Sequence, residues 1–331
     1  MSVSENVPVH RLMGVSVSRM QGSVVEQLLA MRAEICRFNA DRGLQTAIWY
    51  SSGWFMQWHE GPADAVEAAW RRSLADRGQG THRLIHRSEG APGLAGRLHL
   101  CTAHNRDMPA DVARRIHAVE RQHQLGWTAE PSEIWQQLSA PCRVEAADPV
   151  AVAARASVVA VTSEHTEAVD LVKAIADAQG ADITYQRFAD CNLSNGDIGA
   201  AYVDMAEGTH MTRMQALSRR ALGNDMVKLS LRQMQCLVLL LGDRPEPVER
   251  LGAAVAALLA GLEIRPAVRL IGTAAACRLA ARQLEIVPGL DFDAVETGTP
   301  RRTQVEAVLK VVSSLQRSAP PANARRVSEP S

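Results

Sequence analysis

Aromatic residues are scarce in this chain, at 4% of its 331 residues, and there is no net charge at neutral pH. The first scarcity makes any cluster of rings informative. The balance of 36 basic against 36 acidic residues argues against a phosphate-binding surface, which needs a cationic excess. Neither nucleic acid nor an anionic membrane is therefore an expected partner, and basic pairs such as Arg71-Arg72 and Arg219-Arg220 read as solvated helix faces. Long apolar runs are missing too: "CLVLLL" and "AAVAALLAGL" are too short to span a bilayer. The six cysteines (Cys36, Cys101, Cys142, Cys191, Cys236, Cys277) form no C-x-x-C pair, and several sit in apolar runs. With no signal peptide in view, that usage points to a reducing cytoplasm with thiols serving as small hydrophobes. G-x-S-x-G and H-E-x-x-H are absent and no paired-carboxylate site stands out, so no enzyme activity is expected.

What is present fills two ordinary domains: 47% hydrophobic and 22% charged residues is a globular composition. "VPVHRLMGVSVS" alternates as a strand does, and "GSVVEQLLAMRAEICRFNADRG" carries helical spacing between a Ser23 cap and a Gly43 exit. "QTAIWY", the turn "SSG" and "WFMQWHEG" read as a hairpin, and "PADAVEAAWRRSLAD" as a helix opened by Pro62. With the short strands "HRLIHRSEG" and "LAGRLHLCT", the order is β-α-β-β-α-β-β, a ferredoxin-like α+β plan of one sheet on two helices. "PADVARRIHAVERQHQLGW" adds a helix to cap that sheet. Further on, apolar strands ("SVVAVTS", "QCLVLLLGD", "AVRLIGT") alternate with helices, which predicts a parallel sheet covered on both faces. The expected class is α/β overall, with a first domain over 8–128, a linker over 129–156, a second domain over 157–317 and a tail of disordered composition over 318–331.

The unusual stretch is "FNADRGLQTAIWYSSGWFMQWHEGPADAVEAAW", which spends two of six tryptophans, Trp54 and Trp58, beside a glutamine. It resembles the BLUF domains, blue-light sensors that use FAD, in an asparagine before the second strand, a G-x-F-x-Q-x-x-E-G-P hairpin (Gly53, Phe55, Gln57, Glu60, Gly61, Pro62) and an Ala-Val helix. The resemblance implies that Gln57 faces a flavin ring, that Asn39 holds its carbonyl edge, and that both point into the cleft between the helices. It also implies a tyrosine donor at the end of the first strand, in a motif like Y-V-S-R. Here that motif reads Ser16-Val17-Ser18-Arg19, and serine is no aromatic electron donor. Tyr50 lies on another strand, Phe38 precedes Asn39 where a polar residue is more usual, and the last strand carries Arg97 and His99 where the family commonly has Trp and Met.

The second domain resembles small Ras-like bacterial GTPases in the order of its segments. "SVVAVTSEHTEAVDLVKAIADA" stands for strand, phosphate loop and helix, and "LVLLLGDRPEPVERLGAAVAALL" for a buried strand with its helix. A phosphate loop needs glycines and a lysine; "TSEHTEAVD" has neither and adds Glu164 and Glu167. The N-K-x-D reading of guanine is also missing, with "GTAA" at the strand end, so nucleotide is expected neither to bind nor to turn over. A receiver-like or Rossmann-like scaffold is the competing reading, with Asp204 as an isolated phosphoacceptor candidate. His82, His86, His99, Cys101 and His104 are candidate metal or haem ligands outweighed by an ordinary structural role, and no metal is expected. Asp291 and Asp293, bracketing Phe292, read as a loop or strand edge.

Together these readings predict a non-catalytic signalling or regulatory protein that acts through protein partners or a homo-oligomer of its BLUF-like domain, with no cofactor. The alternative is an FAD-binding blue-light or redox sensor whose output passes to the second domain.

Overall fold

A computed structural model describes residues 7–139, 155–162, 167–192, 198–207, 210–224, 227–228, 231, 234–261, 265–297 and 301–318. It divides into two compact units: Met1–Glu145 with Gln186–Ile198 and Asn224–Leu229, and Ala146–Tyr185 with Gly199–Gly223 and Ser230–Ser331.

In the first unit, β1 (Val9–Ser18), α1 (Val24–Arg42), β2 (Gln45–Ser51), β3 (Trp54–Gly61), α2 (Ala63–Ala75), β4 (Gln79–Gly90) and β5 (Leu98–His104) follow in the expected order. The caps expected for α1 are in place. Ser23 accepts a hydrogen bond from the Glu26 amide, and Gly43 is left-handed at φ 62°. The hairpin turn places Ser52 and Gly53 at positive φ, the tight reversal a two-residue connection requires. The strand order is β5-β2-β3-β1-β4, with β2 and β5 parallel and the other pairs antiparallel. Beyond β5 lies the second half of β7 (Ile183–Asp190), from Gln186 on.

All eight residues of β3 are buried, so this strand is covered on both faces. Side chains alternate along it, and the scarce rings sort accordingly. Trp54 and Trp58 point one way: the Trp54 indole N–H donates to the Pro109 carbonyl at 3.0 Å, and the Trp58 and Trp135 rings lie 6.1 Å apart. They seat α3 (Pro109–Gln124) and α4 (Pro131–Ser139), whose buried Val112, Ile116, Val119, Ile134 and Leu138 complete that layer. Phe55, Gln57 and His59 point the other way, toward α1 and α2.

Two expectations change here. Residues 131–139, read as linker, form α4, because Ile134, Trp135 and Leu138 recur at helical spacing and find a buried seat; residues 140–154 lie outside the described residues. Cys36 and Cys191, read as free thiols, form a disulfide across 155 residues of sequence, since β7 ends beside α1. Cys101, Cys236 and Cys277 are free and buried, as expected.

The second unit contains β6 (Arg155–Thr162), α5 (Glu167–Gln179), β8 (Ile198–Glu207), β9 (His210–Ser218), β10 (Cys236–Leu240), α6 (Pro245–Ala260), β11 (Ala267–Gly272), α7 (Ala274–Leu284), β12 (Phe292–Glu296) and α8 (Arg301–Ser318). Its strands run β12-β11-β10-β6-β9-β8. The first five are parallel and β8 is antiparallel to β9, so the sheet is not wholly parallel as expected. Val158, Val238, Leu240 and Ile271 pack with Leu171, Ile175, Val308 and Val312 of α5 and α8. Val159, Val161, Leu237 and Leu239, alternate in the strands, are buried too, so both faces are covered. Residues 319–331 of the expected tail, and 163–166 of the loop "TSEHTEAVD", lie outside the described residues. No helix among the described residues is long and apolar enough to cross a membrane.

Candidate functional site

Strand register sets three rows on the sheet face beneath α1 and α2, and of these Thr46, Ile48, Phe55, Gln57 and His59 form the floor of a cleft. Leu12, His59 and Thr46 stand opposite one another, then Gly14, Gln57 and Ile48, then Ser16, Phe55 and Tyr50. Gly14 lets α2 come close, for a Cβ there would lie 2.3 Å from the Trp70 ring. Above the floor, α1 contributes Leu28, Met31, Ile35, Phe38 and Asn39, and α2 contributes Ala69, Arg72 and Ser73, around a cavity of about 370 Å³. That is within the range of small-molecule pockets. Gln57 and Asn39 both line it, as the sequence led us to expect.

Buried polar groups must find partners, and here they find one another. The side chains of Ser16, Asn39, Thr46, Gln57 and His59 belong to residues at most 4% exposed. Gln57 Nε2 donates to Gln79 Oε1 at 2.7 Å, and Ser16 Oγ donates to the same oxygen at 2.7 Å. Gln79 Nε2 in turn donates to Asp76 Oδ2 at 2.9 Å. On its other side, Gln57 Oε1 accepts from Ser73 Oγ at 2.5 Å and lies 3.3 Å from His59 Nε2. A carbonyl oxygen only accepts, so His59 carries its proton on Nε2. Its Nδ1 then accepts from Thr46 Oγ1 at 3.1 Å. Burial holds His59 neutral, its pKa lowered to about 4. The network thus has one direction throughout, ending on the Asp76 carboxylate, and it fixes which way the Gln57 amide faces. Asn39 Nδ2 donates to the Arg97 carbonyl at 2.6 Å, tying α1 to the residue just before β5.

At the rim, Arg72 pairs with Glu34 at 2.5 Å, linking the two helices. The Phe38 ring sits between guanidinium groups, 4.1 Å from Arg42 and 4.9 Å from Arg72. This explains a bulky Phe before Asn39. Among the described residues lining the cleft there is neither tyrosine nor tryptophan. The Tyr50 and Phe55 rings are tilted at 47° to each other with centroids 5.1 Å apart, and Tyr50 packs with the apolar cluster of Leu98 and Leu100.

Reading the sequence missed Thr46, His59, Ser73, Asp76 and Gln79. Period-two alternation from Gln57 reaches His59 in the same hairpin. Gln79 has no local signal, because it joins the site only when β4 pairs with β1.

The other candidates do not line the cleft. No group of three or more metal-ligating side chains exists among the described residues. Cys101 is buried, its thiol pushed up by desolvation, and His99 Nε2 accepts from the Gly96 amide at 3.2 Å. Asp204 is held by Arg213 at 2.8 and 2.9 Å, which occupies the oxygens a phosphoacceptor would need. Asp293 lies in β12, on the edge of its sheet. Glu60, in the hairpin motif, accepts from the Gly93 and Leu94 amides and carries a carboxyl raised by burial.

No family model matches the chain by sequence, and no curated protein does. Solved structures that resemble it include BlsA in its ground state, with 13% identity, a TM-score of 0.30 and coverage of 40% of this chain and 89% of that one. Another is BlrB, a BLUF protein in its dark state, at 19% identity and a TM-score of 0.28, covering 39% of this chain and 91% of that one. The bacterial selenocysteine-specific elongation factor EF-Sec matches at 13% identity and a TM-score of 0.29, over 50% of this chain and 29% of its own. Likeness at these scores does not speak to activity; the chemistry of the cleft has to.

Proposed function

We propose that the chain is a non-catalytic signalling or regulatory protein acting through protein partners, whose first unit keeps a BLUF-like frame without its photochemistry. One observation carries this reading. Ser16 occupies the place of the family tyrosine and spends its hydroxyl on Gln79, while no tyrosine or tryptophan lines the cleft among the described residues. A light-driven transfer of electron and proton has no donor there.

The cleft itself favours a second reading, in which FAD still binds. The residues fit a flat heteroaromatic ring: Leu28, Met31, Ile35, Ile48 and Phe55 supply apolar walls, and Asn39 and Gln57 supply amides at the polar edge. When bound, flavin would supply light absorption and redox capacity. This chain's part would be to orient the ring through Gln57 and Asn39 and to exclude water with its apolar walls. Binding would then report ligand or redox state rather than light.

For the second unit, the strand order with one antiparallel neighbour supports the GTPase-type frame, and the composition of "TSEHTEAVD" supports loss of nucleotide binding. We place the protein in the cytoplasm on the strength of its composition. The visible spectrum of the purified protein tests the reading. A colourless preparation, or a yellow one unchanged by blue light, agrees with it; a yellow, light-responsive one overturns it.

A further inference from the structure

Helix α1, one wall of the cleft, is thinly anchored. Of its nineteen residues only Val24, Leu28, Arg32 and Asn39 are buried. Part of its seat comes from far along the chain: Val25, Leu28 and Leu29 meet Leu100 of β5 and Phe188 and Ala189 of β7 along a narrow apolar seam. The Cys36–Cys191 disulfide closes the end of that seam. Cys36 follows Ile35 and precedes Asn39 by three positions, and both of those neighbours line the cleft.

We propose that Cys36 and Cys191 form a redox-operated clasp that holds Gln186–Asp190 beneath α1 and so sets the position of the cleft wall. The clasp stands on the disulfide and the seam; its consequence for a ligand rests on the reading of the cleft given above. Access distinguishes this pair from the other described cysteines. Both sulfurs belong to half-buried residues, whereas Cys101, Cys236 and Cys277 are buried. Burial also raises all three of those thiols, Cys236 to about 11, which keeps them protonated and unreactive.

Opening uses a dithiol reductant. One of its thiolates attacks a sulfur of the bridge and breaks the S–S bond, giving a mixed disulfide and one free cysteine. Its second thiol then displaces the other cysteine, so the reductant leaves as a cyclic disulfide. The protein gains two electrons and two protons. Closing uses hydrogen peroxide. One thiolate is oxidised to a sulfenic acid, which condenses with the other thiol, and two waters are released in all.

The test is alkylation mass spectrometry paired with hydrogen exchange on the full chain, first air-oxidised, then treated with dithiothreitol, then with peroxide. The expected result is that Cys36 and Cys191 become alkylated only after reduction and are protected again by peroxide. Amides of α1 should exchange about tenfold faster or more in the reduced form, while Cys101, Cys236 and Cys277 stay protected throughout. Three results would each overturn the clasp. The pair could resist reduction without denaturant, α1 exchange could be the same in both states, or reduction could expose the buried cysteines and so reveal a plain structural staple.

Discussion

A serine hydroxyl can donate one hydrogen bond, but unlike a phenol it gives up no electron to an excited flavin. On the proposed reading, that difference at Ser16 turns the cleft from a photochemical site into a binding site. The hydroxyl is committed to Gln79, which also receives Gln57, so Gln79 is the hinge of the network. Replacing Gln79 by Leu leaves two buried donors without an acceptor. The expected cost is about 1–3 kcal/mol in a urea melt, and an unchanged midpoint would show that the network is incidental. His59 gives the network a pH dependence. Its folded pKa lies near 4, below the ordinary 6.5. Between those values the unfolded chain takes up a proton that the folded chain refuses, so stability falls as pH drops through this window. The loss is roughly 3 kcal/mol between pH 7 and pH 4. Comparing urea midpoints of the native protein and His59→Asn across that window isolates it, since only the variant should lose this slope.

At the scale of elements, the close approach of β1 and α2 rests on Gly14. A Cβ at this position would lie 2.3 and 2.5 Å from Trp70 ring carbons, and the ring is buried against the sheet. Gly14→Ala should therefore destabilise the first unit by about 1–3 kcal/mol, read by thermal or urea unfolding; a neutral result would mean that the ring has room to move. Elements whose signals are local were legible from sequence. The Ser23 and Gly43 caps, the "SSG" turn and the alternation of the hairpin gave α1, β2 and β3 nearly to the residue. Gln57 and Asn39 were legible because a specific motif carries them. What escaped depends on residues distant in sequence. Gln79 enters through β1–β4 pairing, β7 reaches β5 from the far half of the chain, and Cys36 meets Cys191 across 155 residues. Helix α4 escaped for another reason. Its Pro-rich flanks resemble a linker, and only the partner ring of Trp58 shows why Trp135 is there.

At the scale of the whole molecule, two units occur on one chain, and on the proposed reading each is short of the groups its frame's chemistry would need. The second unit has five parallel strands and one antiparallel strand, the frame proposed above to be GTPase-like, and its segment "TSEHTEAVD" carries two glutamates and neither glycine nor lysine. Like charges facing a triphosphate in a partly enclosed site cost on the order of a kcal/mol each or more. Isothermal titration with GTP and Mg²⁺ should show no binding in the micromolar range, and a clear micromolar isotherm would contradict this reading of the second unit. The central claim, a BLUF-like frame put to signalling without light, is tested most directly by light-minus-dark absorption spectroscopy of the full chain after incubation with FAD. The account predicts a flat difference spectrum, whether or not flavin is retained. A small red shift of the flavin band that appears under blue light and decays in the dark would contradict it.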